Sequence, residues 1–301
     1  MNMKPHNLIS LLLASLLALL PLPAGANTLE RIRMSNAFTL GYLPDLAPFS
    51  SDAGGNVSGY GIELCLKIAD RVKTELGLSD LQVRYQPLSR EQALGAIRSG
   101  TIDIFCTPTP ETLAYRKQVS FSRPVYTAGL GVVVRTDAAP SLVRVLNGEE
   151  VHTGPTWRAT INQGLALHTY ATIKGGLTED WARDRMRKLG VIATLVMVDS
   201  HAQGIQMVAE RKADAFFGER MLLQSALDKS GANDQMRVLD TLFTFVPAAF
   251  PLERGDEDFR LLVDTVISEL YHSGEIEQVH RKYLGELREG ARLLFPIYGL
   301  P

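Results

Sequence analysis

Two stretches roughly 110 residues apart follow one plan. Arg90 to Ser99 has the spacing of a helix closed by Gly100, and Ile102 to Cys106 is apolar enough for a buried strand. Gly204 to Arg211 carries Ile205 and Val208 on one helical face, and Ala213-Asp214-Ala215-Phe216-Phe217 follows as another short strand. Each unit is a helix, a turn, an aspartate and a strand. Alternating helices and strands predict parallel sheets, and two such units this far apart predict two α/β lobes rather than a single sheet. In open α/β sheets the binding crevice lies beyond the carboxyl ends of the strands, which here means Thr107 to Thr112 in one half and Gly218-Glu219 in the other.

The flanking sequence fits this scheme. Phe38 to Tyr42 reads as a strand ending in a Pro-, Gly- and Ser-rich loop from Pro44 to Gly59. Ile62, Cys65, Ala69, Val72 and Leu76 then recur at helical spacing up to Gly77, and Leu81 to Tyr85 reads as a strand. Near the end, Phe259, Leu262, Val263, Val266 and Leu270 form one amphipathic face, and Ile276, Val279 and Tyr283 another.

Cys65 and Cys106 are the two cysteines of the chain. Two readings are open: a disulfide, worth roughly 4 kcal/mol for a loop of this length, or two buried thiols acting as small hydrophobes.

Lys4, the apolar run Leu8 to Leu20 and the small residues ending at Ala26 read as a secretory signal peptide over residues 1–26. The apolar run extends about 20 Å as a helix, short of the ~30 Å needed to span a bilayer. No cysteine follows at once to take a lipid anchor. Without Lys4 the chain carries 30 basic and 33 acidic residues and no basic cluster, so nucleic acid is not an expected partner. No metal-ligand spacing, phosphate-binding glycine loop or nucleophile motif occurs, so no cofactor and no metal are expected.

Four sets of residues carry a family resemblance. They are Gly41-Tyr42 with Pro48-Phe49-Ser50, Gly59-Tyr60-Gly61-Ile62-Glu63-Leu64, Gly100-Thr101-Ile102-Asp103, and Val119 to Tyr126. In this order they resemble the family 3 extracellular solute-binding proteins, the polar amino-acid receptors of ABC importers. Leu64-Cys65, Cys106, Leu81-Gln82-Val83 and Asp199-Ser200-His201 are most similar to the glutamate/aspartate-binding type. The resemblance implies a type II periplasmic-binding-protein fold of two hinged lobes, with crossings near Val134 and Leu239. Residues 27–134 plus 240–301 would form lobe I and 135–239 lobe II. It also implies a monomer in the periplasm that closes on a small polar ligand and is read by a permease and its ATPase.

An amino-acid receptor must give charge-assisted partners to both an ammonium and a carboxylate. The resemblance puts the ammonium acceptor at Glu219, whose other reading is a surface pair with Arg220. A carboxylate turn falls at Gly154-Pro155-Thr156, where Thr156 is either a ligand contact or a helix cap. His201 stands where the glutamate/aspartate type has a histidine, and capping the next helix is its other reading. The expected carboxylate-clamping arginine is Tyr115 here, with Arg116 beside it. Two further arginine positions are Leu43 and Ala93, with Arg90 one helical turn before Ala93, and Leu46 replaces the usual aromatic platform. Pro108 removes a backbone donor from the Thr107 to Pro110 loop. The expected ligand contacts are therefore Thr107, Thr109, Arg90 or Arg116, alongside Glu219, Thr156, His201 and Tyr115.

Exported cyclohexadienyl dehydratases also resemble these receptors, so an enzyme using His201 and Glu219 as acid and base is the alternative. A sensor subunit serving a membrane partner is a third class. The binding reading, with no catalytic role, is the expectation carried forward.

Overall fold

The computed structural model describes residues 27–149, 164–287 and 289–301. The first sheet orders its strands Gln82–Pro87, Ala37–Tyr42, Ile104–Phe105, Pro251–Leu252 and Ser120–Phe121. Its first three strands are parallel, and Pro251–Leu252 runs antiparallel to both neighbours. The second sheet runs Thr194–Val198, Thr169–Ile173, Ala215–Glu219, Tyr126–Arg135, Phe245–Ala249 and Thr109–Pro110. There too the first three strands are parallel and the rest antiparallel.

The repeated aspartate has one job in both halves. Asp103 accepts the Thr39 N–H at 2.8 Å while its own N–H donates to the Thr39 carbonyl at 3.0 Å. Asp214 does the same with Thr169, at 2.8 Å and 2.7 Å. Each aspartate thus satisfies a backbone N–H of the neighbouring strand one residue ahead of the first ladder pair, where that N–H would otherwise lose its partner. An arginine backs each one: Arg31 lies 3.7 Å from Asp103 and Arg135 lies 4.0 Å from Asp214.

The two halves have separate cores. Phe38, Tyr60, Ile68, Phe250, Phe259 and Ile267 pack in the first, with Ile97, Phe105 and Phe121 nearby. Val133, Ala171, Ile205 and Phe216 pack in the second, with Leu130, Val132, Val134 and Leu239 on its other face.

Two strands pass between the halves. Tyr126 to Gly129 pair with Phe245 to Ala248 on the returning strand, whereas Leu130 to Val134 pair with Ala215 to Glu219. The change of neighbours falls at Gly129–Leu130, earlier than Val134. The apolar run Leu130 to Val134 is buried whichever sheet it joins, so its composition does not mark the boundary.

The Tyr60–Leu76 helix buries Tyr60, Leu64, Cys65, Ile68 and Val72 against the first sheet. Its start is set by glycine. Gly59 has φ 136°, and a Cβ there would stand 2.5 Å from the Phe49 carbonyl oxygen, so a side chain at this position is excluded. Gly61 lets the helix approach the Cys106 backbone closely. Cys65 is bonded to Cys106, with 6.0 Å between their Cα atoms, which joins the helix to the end of the Ile104–Phe105 strand. No helix among the described residues is long and apolar enough to cross a membrane.

Candidate functional site

Strand ends from both sheets converge on a cleft. An inner chamber of about 180 Å³ is lined by Leu43, Phe105 and Thr107 from the first half and by Ile173, Gly218 and Glu219 from the second. An outer cavity of about 1080 Å³ shares Leu43, Leu46, Arg90, Ile173, His201 and Leu222 with it. This is the crevice expected beyond the carboxyl ends of the strands. Among the described residues no group of three or more His, Cys, Asp or Glu could hold a metal ion.

Glu219 ends the Ala215–Glu219 strand and caps the Arg220–Ser230 helix. Its Oε2 accepts the Leu222 N–H at 2.9 Å, and its Oε1 accepts the Tyr126 hydroxyl at 2.8 Å. The Met221 and Gly129 amides also face it. Burial pushes its carboxyl up to about 7 against the pull of these donors. The Arg220 guanidinium donates to the Leu239 carbonyl and approaches Asp240 at 3.4 Å.

Between about 4.5 and 7 the folded carboxyl keeps a proton that the unfolded chain releases, so this group's contribution to stability falls as pH rises through that window and is level above it. Glu219→Gln is expected to flatten that part of the stability profile, measured by urea unfolding at a series of pH values.

His201 opens the His201–Ala209 helix over Gly218, with its ring 6.0 Å from that of Phe216. Ser200, not His201, is the helix cap, accepting the Gln203 N–H. Burial, and then the charge of Arg90, pull the imidazole down to about 4. The ring is neutral at pH 7, with one N–H to donate.

Arg90 is the first residue of the Arg90–Arg98 helix and lines both cavities. Its side chain is exposed and makes no ion pair among the described residues. Tyr115 lines the inner chamber, half-buried against the Leu88 and Leu94 cluster.

Arg116 corrects an expectation. It lines neither cavity and pairs with Glu111 on the exterior. The cause is helical geometry, since successive positions point about 100° apart, and Tyr115 takes the inward direction.

Thr107 and Thr109 line the chamber, but their hydroxyl protons are spent within the protein. Ser50 Oγ donates to the Leu43 carbonyl at 2.8 Å, so the 2.7 Å contact between Ser50 and Thr107 has Thr107 as donor. Thr107 Oγ1 in turn accepts the Leu43 N–H at 3.1 Å. Thr109 donates to the Thr107 carbonyl at 2.9 Å. Both hydroxyls shape the chamber wall rather than offer donors to its contents. Gly154, Pro155 and Thr156 lie outside the described residues.

Sequence reasoning missed a turn in the second half. Lys174, Gly175 and Gly176 leave the Thr169–Ile173 strand, and with Leu177 and Thr178 they line the chamber where the Leu177–Leu189 helix begins. First-turn amides of a helix have no intrahelical acceptor and favour an anion. The signal was present: a β-branched strand, a Gly-Gly break, and acidic Glu179-Asp180 in the first turn of the helix that follows. Glu179 reaches back to the Gly175 N–H at 2.7 Å.

An L-glutamate/L-aspartate-binding protein of Pseudomonas aeruginosa is 27% identical over 303 residues, covering 99% of this chain and 94% of the relative. A glutamate/aspartate import solute-binding protein of Salmonella typhimurium is 23% identical, covering 87% of this chain and 80% of the relative. Among solved structures, the ancestral amino acid-binding protein AncCDT-1, a precursor of cyclohexadienyl dehydratase, superposes with a TM-score of 0.66 at 21% identity, over 86% of this chain and 99% of that one. An amino acid ABC transporter substrate-binding protein of Streptococcus pneumoniae bound to L-arginine gives 0.64 at 21% identity, over 84% and 96%. The architecture is therefore the two-lobed type II periplasmic-binding-protein fold. Residues 38–286 match the bacterial extracellular solute-binding proteins, family 3, and with a cleft built from both halves and nearly end-to-end similarity to its relatives, the chain belongs to that family.

Proposed function

We propose that this protein is the periplasmic capture component of an ABC importer, taking an amino acid or a related small solute into the cleft and closing on it. The observation that carries this reading is a chamber of about 180 Å³ whose walls come from both halves. A guest touching both halves binds the closed arrangement better than the open one and shifts the population by that difference. The lobes meet at the paired crossing strands, so the proposed hinge lies near Gly129 on the outward pass and near Phe245 on the return. Residues 1–26 act as a cleaved export signal in this reading, and a membrane permease with its ATPase reads the closed form.

Arg90 holds the ligand anion in the proposed site, assisted by the neutral His201 and the turn from Lys174 to Thr178. Calorimetric titration with the twenty amino acids, combined with solution scattering, tests the reading. Binding with contraction of the particle is the expected result. No binding tighter than ~1 mM, about −4 kcal/mol, with no small molecule released from denatured protein, would sink it. Arg90→Ala is expected to weaken binding about tenfold or more, the usual effect of losing a charge-assisted contact.

A dehydratase would need His201 or Glu219 as a free proton carrier. The commitment of both Glu219 oxygens to protein donors favours passive binding instead. Unchanged prephenate after incubation with purified protein is the outcome expected of a receptor.

A further inference from the structure

We propose that the chamber selects for a carboxylate and makes no demand for an ammonium group, so that its ligand is a small organic acid on which an amino group is optional. The inference rests on the capture reading above and narrows it.

Glu219 is the sole acidic residue among the described residues that line the inner chamber. A carboxylate offers about four acceptor sites. Here the Tyr126 hydroxyl takes one at 2.8 Å and the Leu222 amide another at 2.9 Å, one on each oxygen, and the nearby Met221 and Gly129 amides also favour the charged form.

Tyr126 cannot easily give way. Its ring lies 4.9 Å from that of Phe49 and also packs against Tyr60 and His280, and its hydroxyl has no other partner among the described residues. An ammonium entering beside Glu219 would orphan a polar group in an aromatic wall, which offsets the gain of the new contact.

Positive groups, in contrast, stand ready. Arg90 and Lys174 both line the chamber, and neither makes an ion pair among the described residues. With Leu43, Leu46 and Phe105 as apolar walls, the chamber fits an anionic head on a short carbon chain.

Three matched series test this by calorimetry: leucine, 4-methylpentanoate and 3-methylbutylamine; phenylalanine, 3-phenylpropanoate and phenethylamine; glutamate, glutarate and 4-aminobutanoate. In the series that bind, the deaminated acid is expected within tenfold of the amino acid, and the two simple amines are expected not to bind. A deaminated acid weaker by tenfold or more, or binding of either simple amine, overturns the inference and leaves capture standing. Silence from all nine compounds, while another of the twenty amino acids binds, overturns the inference and leaves capture standing; silence from the nine and from all twenty overturns both.

Tyr126→Phe provides a second readout, because it frees one acceptor position on Glu219. Amino acids are then expected to gain about tenfold on their deaminated partners. An unchanged ratio would show that Tyr126 does not occupy the ammonium's place.

Discussion

Gly61→Ala is expected to destabilise the protein by about 3 kcal/mol and to weaken ligand binding with it. A Cβ at Gly61 would fall 2.0 Å from the Cys106 carbonyl oxygen and 2.8 Å from Pro108 Cδ. Backbone there has little room to yield. The Cys106 N–H donates to the Gly41 carbonyl at 2.7 Å, its sulfur is bonded to the same helix, and Thr107 is tied to Leu43 and Ser50. Any relief therefore pushes the segment from Thr107 to Pro110, which walls the chamber. A lower urea midpoint at unchanged slope, together with reduced affinity, is the expected pair of results. Wild-type stability in this variant would contradict the close approach.

Removing the disulfide through Cys65→Ser with Cys106→Ser is expected to cost about 4 kcal/mol, from the loop-closure entropy returned to the unfolded chain. The bond spans a separation of 41 residues. Calorimetry should record a fall in melting temperature on the order of 10 °C, and reductant should reproduce it in the wild type. Saturating ligand is expected to raise the melting temperature of both forms by mass action. A fall of only a degree or two would mean that the unfolded chain gains little freedom when the link is cut.

Much of the frame was legible beforehand because it depends on local spacing. The Tyr60–Leu76 and Arg90–Arg98 helices begin and end near where apolar period, Gly77 and Gly100 put them. The paired helix-turn-aspartate-strand units mark the two sheets for the same reason.

What escaped depends on partners distant in sequence. Tyr126 meets Glu219 across 93 residues, and nothing near either one announces that the carboxylate is already engaged. Thr107 reads as a ligand donor until Ser50, 57 positions away, is seen to take its proton. Arg116 and Tyr115 could exchange roles on composition alone; the direction each Cα–Cβ bond takes on a four-residue helix separates them. Gly175-Gly176 was overlooked because a Gly-Gly break announces a turn without showing that the turn borders the cleft.

Asp103 and Asp214 each fasten a strand of their own half, and neither fastening reaches over the gap. Rotation of the halves about the crossing strands would therefore leave both aspartate fastenings in place. A guest that drew the halves together would act instead on the two crossing strands and on the Tyr126–Glu219 contact beside them.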